Sequence, residues 1–113
     1  MALSELELAG VNRTMTAYIA RRRPRPEIRN ELDIGYSIEN QSIIVHEDRR
    51  LYDGSRMIEP VAKATWVKTQ RAWKVFWMRA DLRWHSYEPL AIARTLDKVL
   101  EEIDADPYGC FWG

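Results

Sequence analysis

Apolar and polar residues alternate along five segments in the middle of the chain. These segments span residues 32–38, 42–48, 61–67, 73–79 and 83–87. The last three are rich in aromatic and β-branched residues interleaved with Lys and Arg, and they carry four of the five tryptophans. A period of two is typical of half-buried strands, and short polar gaps between such strands favour hairpins. The pattern therefore predicts an antiparallel meander of about five strands.

Helical signals flank this meander on both sides. Ser4, followed by Glu7 three residues later, has the spacing of a capping box, and Pro24 ends the first helix. Near the other end, Thr95 is a candidate N-cap and Pro107 is a stop signal. Apolar residues at helical spacing between them predict the buried stripe of the last helix: Leu96, Val99, Leu100 and Ile103.

The connections between the predicted strands decide the geometry of the sheet. Asn40 and Gln41 predict a tight turn between the first two strands. Pro60 has no N–H, so we expect it to open the third strand and not to lie within it. Leu82 is expected to resist a positive φ, which predicts a longer loop or a bulge between the last two strands.

The hairpin between the third and fourth strands assigns the faces of the sheet. A tight connection through residues 68–72 places Trp73 and Trp77 on one face with Lys63, and it places the alanines of the third strand on the other face with Phe76. Because small alanines let a helix lie close, we expect the helices to cover the alanine face. The tryptophan face is then only partly covered.

The segments together predict a single α+β domain over residues 1–113, with an N-terminal helix, the antiparallel β-meander of about five strands, a C-terminal helix and a Phe-Trp-Gly tail. Residues 109–113 are expected to tuck Phe111 and Trp112 against the domain, because exposing both would create an apolar patch. The single cysteine, Cys110, cannot form an internal disulfide, and no apolar leader follows Met1. We therefore expect a soluble, cytoplasmic protein without a membrane partner.

The charges balance but are unevenly distributed. Lys and Arg number 17, as do Asp and Glu, and a net charge of zero argues against a dedicated nucleic-acid or membrane-surface protein. Residues 13–29 and 63–83 each hold six basic residues and one acid, whereas residues 97–106 hold five acids and one lysine. These regions either solvate separate faces or pair with one another. A basic group is expected near the acidic end of the last helix, at Asp104 and Asp106.

The end of the chain carries a resemblance to a known family. Residues 102–113 have an acidic helix end followed by Asp-Pro, Gly and Phe-Trp-Gly, and this tail resembles the C-terminal signature of a small bacterial family, the domain of unknown function DUF3024. The similarity extends over nearly the whole chain, including the Ser-Glu-Leu-Glu start and the Trp-His-Ser-Tyr-Glu-Pro segment at residues 84–89. Members of that family often have glycine in the two hairpin turns, where this chain has Gln70-Arg71 and Asp81-Leu82. The resemblance implies no activity and no catalytic residues.

Two surfaces are candidates for binding. The first is a cluster of arginines around the end of the first helix: Arg21, Arg22, Arg23 and Arg25. The second is the basic, aromatic face of the sheet: Lys63, Trp73, Trp77, Arg79 and Trp84. Arginines and stacked aromatics contact phosphates and bases in nucleic-acid-binding proteins. The alternatives stay open: the arginines pair with acidic side chains such as Asp104, and the tryptophans are packed by the tail or by a second protomer.

Reaction chemistry has weak support. His46 and Asp48 share one strand face, but a zinc or iron site needs three or four ligands. His85 has no nucleophile or orienting acid at a motif spacing, and Cys110 has no charged neighbour that would activate it. The sequence therefore predicts no catalytic residue, no metal, no cofactor and no identified small-molecule ligand.

We expect a non-enzymatic binding or interaction module, most simply a homodimer that forms through the sheet. The alternative is a nucleic-acid-binding module that uses the arginine cluster with Trp73 and Trp77. A small enzyme centred on His85 or His46 is a weaker alternative.

Overall fold

The computed structural model describes residues 2–113 and confirms the α+β architecture. Two helices are present, α1 (Glu5–Arg22) and α2 (Leu96–Ala105). Six strands lie between them: β1 (Leu32–Glu39), β2 (Ser42–Arg50), β3 (Arg56–Val67), β4 (Ala72–Met78), β5 (Trp84–Ser86) and β6 (Ile92–Ala93). One-turn 3₁₀ helices span Pro26–Ile28 and Glu88–Leu90.

The ends of both helices follow the local signals of the sequence. The Ser4 hydroxyl accepts a hydrogen bond from the Glu7 backbone N–H, and the Glu7 carboxylate accepts one from the Ser4 N–H, so the predicted capping box is confirmed. The Thr95 hydroxyl accepts from the Lys98 N–H and caps α2. The predicted stripe of α2 is buried in full, because its four apolar positions repeat every three or four residues.

The sheet is antiparallel throughout, in the order β1-β2-β3-β4-β5. β6 pairs with β4 as well, beside Trp73 and Lys74. Glu39 pairs with Ser42, so the turn between β1 and β2 has two residues, and Asn40 in it has a φ of 54°. Asparagine tolerates this left-handed conformation better than most residues do. The tight turn predicted there is confirmed.

The expected position of Pro60 is wrong. β3 runs through Pro60 without ending, because the register shifts between Val45 and His46 and leaves a bulge at this place. β4 pairs with β3 only from Ala62 to Val67, so Pro60 has a neighbouring strand on one side alone. A residue that lacks an N–H is tolerated where one edge of the strand has no partner.

The predicted assignment of β4 side chains to the two faces of the sheet is also wrong, because the register of β3 and β4 differs from the predicted one by one residue. Val67 pairs with Ala72, so the hairpin loop holds the four residues 68–71 and not five. Trp66 pairs with Trp73 and Ala62 with Trp77, which puts both tryptophans of β4 on the alanine face. A shift of one residue reverses every side chain of a strand, because the side-chain period is two.

The loop between β4 and β5 is long, as predicted, but Leu82 does not avoid a positive φ. Residues 79–83 connect the two strands, and Leu82 has a φ of 61°. The N–H of Leu82 donates to the Arg79 carbonyl, and the Asp81 carboxylate accepts from the Arg83 N–H. These hydrogen bonds hold the turn. Because the Leu82 side chain is 81% exposed and makes little contact, the free-energy cost of leucine here arises from its left-handed backbone conformation.

The hydrophobic core lies between the two helices and one face of the sheet. Residues of α1 and α2 pack with the alanines of β3, with Trp73 and Val75 of β4, and with Ile43 and Val45 of β2. Trp66 and Trp77 pack against this core from its margin. We call this side the covered face. No helix belongs to the opposite side of the sheet in the part of the chain that the structure describes, because α1 and α2 both contribute to the same core.

The C-terminal tail packs against the domain, as expected. Phe111 is buried with its ring centroid 4.8 Å from that of Tyr87, and the Trp112 indole N–H donates to the carbonyl of Ile103. Asp106 has a φ of 40°, and its carboxylate accepts hydrogen bonds from the backbone N–H groups of Phe111 and Trp112. The acidic residue after α2 therefore positions the tail.

Candidate functional site

The uncovered side of the sheet is the first candidate site. We call it the open face, and its residues come from all five main strands: Ser37, Glu39, Ser42, Ile44, Lys63, Thr65, Lys74, Phe76, Met78 and Trp84. Its apolar members, Ile44, Phe76, Met78 and Trp84, are half-buried and stand outside the core. A sheet face of this kind is a surface that partners can cover.

Lys63 is the centre of the open face. Its ammonium nitrogen lies 5.0 Å from the centroid of the Phe76 ring and 5.6 Å from that of Trp84, which are cation–π distances. A depression of about 360 Å³ lies beside it, and Ile44 and Thr65 form part of its lining. The structure therefore brings together Lys63 and Trp84, two of the residues predicted for the second surface.

The other predicted residues of that surface lie elsewhere. Trp73 is 6% exposed and belongs to the core. Trp77 is half-buried on the covered face, with the Arg79 guanidinium 5.5 Å from its ring centroid. Phe76, which was predicted to share the alanine face beneath the helices, lies instead on the open face, and Met78 lies there with it. The amphipathic alternation of β4 could have found them, but the register that decides between its two faces was misjudged.

The arginines at the end of α1 are largely engaged by acidic side chains. Arg22 forms an ion pair of 3.5 Å with Asp104, and its guanidinium lies 4.3 Å from the centroid of the Trp112 ring. Arg23 makes two hydrogen bonds with the Asp33 carboxylate, of 3.0 and 2.7 Å. This contact lowers the pKa of Asp33 and raises that of Arg23. The basic group expected near the end of α2 is therefore Arg22.

The remaining two arginines of the cluster are exposed. Arg25 is 3.8 Å from the Glu27 carboxylate, and the Arg21 guanidinium lies 5.8 Å from the centroid of the Tyr18 ring. Tyr18 is fully buried and donates its hydroxyl to Asp104, and burial together with this carboxylate raises its pKa. The cluster thus joins α1 to α2 and to the edge of the sheet.

The histidines have different surroundings. His85 Nε2 lies 2.8 Å from Asp81 Oδ2, and this hydrogen bond is the main reason why the pKa of Asp81 is lowered. A cavity of about 280 Å³ is lined by His85, Ser86 and Cys110, but burial raises the pKa of the Cys110 thiol, which disfavours its nucleophilic form. His46 covers Gly35, where an added Cβ would lie 2.8 Å from the imidazole Nε2. No group of three metal-ligating side chains occurs within residues 2–113.

Comparisons with known proteins identify one family. The profile of the domain of unknown function DUF3024 matches residues 3–113. Neither the curated proteins nor the solved structures contain a match to the chain. Within the described residues, no helix has both the length and the apolar character that crossing a membrane requires.

Proposed function

The chain belongs to the DUF3024 family, and we propose that it is a non-enzymatic binding module that pairs with a second copy of itself through the open face. One observation carries this proposal. Four apolar side chains of the open face, Ile44, Phe76, Met78 and Trp84, lie outside the core and on the side of the sheet that neither helix covers. A second sheet packed face to face would remove these side chains from water.

The charges of the open face complement themselves. Glu39, Ser42, Thr65 and Lys74 form one row across β1 to β4, with an acid at one end and a lysine at the other. In a face-to-face dimer whose two-fold axis is parallel to the strands, the row of one copy lies opposite the same row of the other copy. The two rows then run in opposite directions across the strands. Glu39 of each copy then faces Lys74 of the other, which is the self-complementarity that a symmetric dimer requires.

The size of the face predicts a weak dimer. Five strands about 4.8 Å apart and about seven residues long cover roughly 500 Å² per copy. Two copies then bury about 1,000 Å², which is near the lower limit for a specific interface. We therefore expect association in the upper micromolar range of protein concentration.

Sedimentation velocity over a concentration series tests this proposal. Phe76→Lys introduces a charge at the centre of the face and is expected to weaken dimerisation at least tenfold. Leu82→Lys, in the exposed β4–β5 loop, is the matched control and should leave it unchanged. Lys74→Glu should weaken the dimer, and adding Glu39→Lys should restore it. A wild-type protein that stays monomeric at millimolar concentration would refute the proposal.

The open face also supports a second candidate, the nucleic-acid-binding module. Lys63 lies over Phe76 and Trp84, and a cation between half-buried aromatic rings suits both phosphate contact and base stacking, which contributes about 1–3 kcal/mol per base. Phosphate contacts would come from Lys63 and Lys74, since Arg22 and Arg23 are engaged by carboxylates.

A fluorescence titration with short single-stranded DNA and RNA separates the two candidates. The protein is kept below the concentration at which it dimerises, and salt is varied. Quenching that weakens steeply with salt and is lost in Trp84→Leu favours the nucleic-acid module. Unchanged fluorescence at low salt contradicts it.

We infer a cytoplasmic location for either candidate function from the lone cysteine.

A further inference from the structure

A second concave surface lies on the covered side of the sheet. A cleft of about 380 Å³ opens between the first turns of α1 and the edge that β4 forms with β6. Gly10 and Arg13 of α1 line one wall, Trp66 and Trp73 form the floor, and Arg94, which follows β6, lies at the other wall. The cleft and the open face are on opposite sides of the sheet, so the role of the cleft is independent of the proposed dimer.

Gly10 leaves space in this cleft. Glycine in the interior of a helix is unfavourable, so its presence there indicates a packing or a functional reason for the missing side chain. A Cβ built at Gly10 would have no heavy atom within 4 Å. Packing within the described chain therefore does not require a glycine at this position. A ligand that approaches the helix backbone closely would require one.

The floor of the cleft is aromatic. The ring centroids of Trp66 and Trp73 are 5.3 Å apart, with the ring planes tilted by 52°. The Trp66 indole nitrogen is buried, and its interaction with the Glu7 carboxylate is the smallest of the effects that lower the pKa of Glu7, of which the hydrogen bond with Ser4 is the largest. A ligand in the cleft therefore meets the rings of Trp66 and Trp73 and not this nitrogen.

The rim of the cleft is basic. Arg13 and Arg94 are both exposed, and neither forms an ion pair within residues 2–113. This contrasts with Arg22 and Arg23, whose guanidinium groups are neutralised by carboxylates. Leu6 lies at the same rim and is 87% exposed, which adds apolar surface beside the two free charges. Guanidinium groups in this setting bind carboxylates and phosphates.

We propose that this cleft binds a small planar anion, an aromatic ring system that carries a carboxylate or a phosphate. The rings contact Trp66 and Trp73 in the space left by Gly10, and the anionic group lies between Arg13 and Arg94. The volume is near the lower end for small-molecule sites and suits one or two fused rings.

Three matched probes test the ligand class: 2-naphthoate, 2-naphthyl phosphate and the neutral 2-naphthamide. Their binding is followed by the indole N–H signals in the ¹⁵N-labelled protein, in which the Trp66 signal is identified by its loss in Trp66→Phe. We expect one or both anions to shift the Trp66 signal, with the amide binding at least tenfold more weakly. The stronger of the two anions identifies the head group. No shift with any probe at millimolar concentration overturns the proposal, and so does an amide that binds as well as the anions.

Two sets of variants separate binding from folding. Gly10→Leu, whose Cβ would have no heavy atom within 4 Å, places a side chain in the cleft and should abolish the shift while the thermal midpoint does not fall, whereas Ala9→Leu, which adds the same side chain to an exposed position of α1, should bind normally. Arg13→Gln with Arg94→Gln should weaken the anions at least tenfold and leave the amide unchanged. Normal binding by Gly10→Leu would refute the site, and normal binding by the double glutamine variant would refute the role of the arginines.

Discussion

Asp106 offers the sharpest test of how the tail is held. Its Oδ1 accepts from the Phe111 N–H at 3.1 Å and its Oδ2 accepts from the Trp112 N–H at 2.8 Å. Asp106→Asn keeps the size of the side chain and its tolerance of the left-handed backbone, but an amide has a single acceptor oxygen. At least one of the two N–H groups therefore loses its partner.

The magnitude follows from two opposing effects. A hydrogen bond to a charged group contributes about 1.5–3 kcal/mol, so losing one and weakening the other costs about 2 kcal/mol. Removing a negative charge from the C-terminal end of α2 returns about 0.5 kcal/mol, since it is unfavourable next to the helix dipole. We expect a net loss of about 1.5 kcal/mol in the free energy of unfolding, which lowers the thermal midpoint by roughly 6 °C in a domain of this size.

Two measurements check this expectation. Urea unfolding followed by circular dichroism gives the free energy of unfolding, and the reaction rate of Cys110 with a thiol reagent reports the opening of the tail. The rate should rise in Asp106→Asn, because both burial and the Asp106 charge raise the pKa of the Cys110 thiol. Glu101→Gln removes a charge from the exposed side of the same helix and should change stability by less than about 0.5 kcal/mol. Equal stabilities for the two variants would refute a structural role of the Asp106 carboxylate.

Two further substitutions have defined outcomes. Leu82→Gly should stabilise the domain by about 0.5 kcal/mol in urea unfolding, because relief of the positive φ outweighs the larger entropy of glycine in the unfolded chain; Leu82→Ala, which keeps a Cβ, should give no gain. Asp33→Asn should destabilise by about 1 kcal/mol at neutral pH, after allowance for the partial exposure of the pair with Arg23. Because the pKa of Asp33 is lowered in the folded state, the wild-type advantage should be constant above pH 5 and disappear as the pH falls below 3.8, so an advantage that persists in acid would contradict the pairing.

Local signals accounted for most of the elements. The capping box at Ser4 and the turn at Asn40 each depend on residues within four positions of one another, so local interactions favour their geometry. The apolar stripe of α2 is readable from its spacing, but it is stabilised mainly by packing against the core. The tail also followed from its composition, because two large aromatic side chains next to a helix end are stabilised by burial. The pairing of the arginine cluster with Asp104 was one of the predicted alternatives, and the structure identifies Arg22 as the arginine that forms it.

The residues of the candidate sites were predicted less completely from the sequence. Lys63 and Trp84 were correctly placed on one surface, but Trp73 and Trp77 were exchanged with Phe76 and Met78. The cleft beneath Gly10 was missed altogether, since its residues are distant along the chain and share no motif. The glycine within a helix was its only local signal.

The sequence by itself determined which segments become helices and strands, where most of them end, and that one side of the sheet would be only partly covered. Only the tertiary structure decided which side that is. The physical reason is that a strand repeats every two residues. A hairpin loop of four residues at positions 68–71 in place of five, together with a bulge at Val61 next to Pro60, sets the register through long-range pairing and assigns each side chain to the core or to the surface.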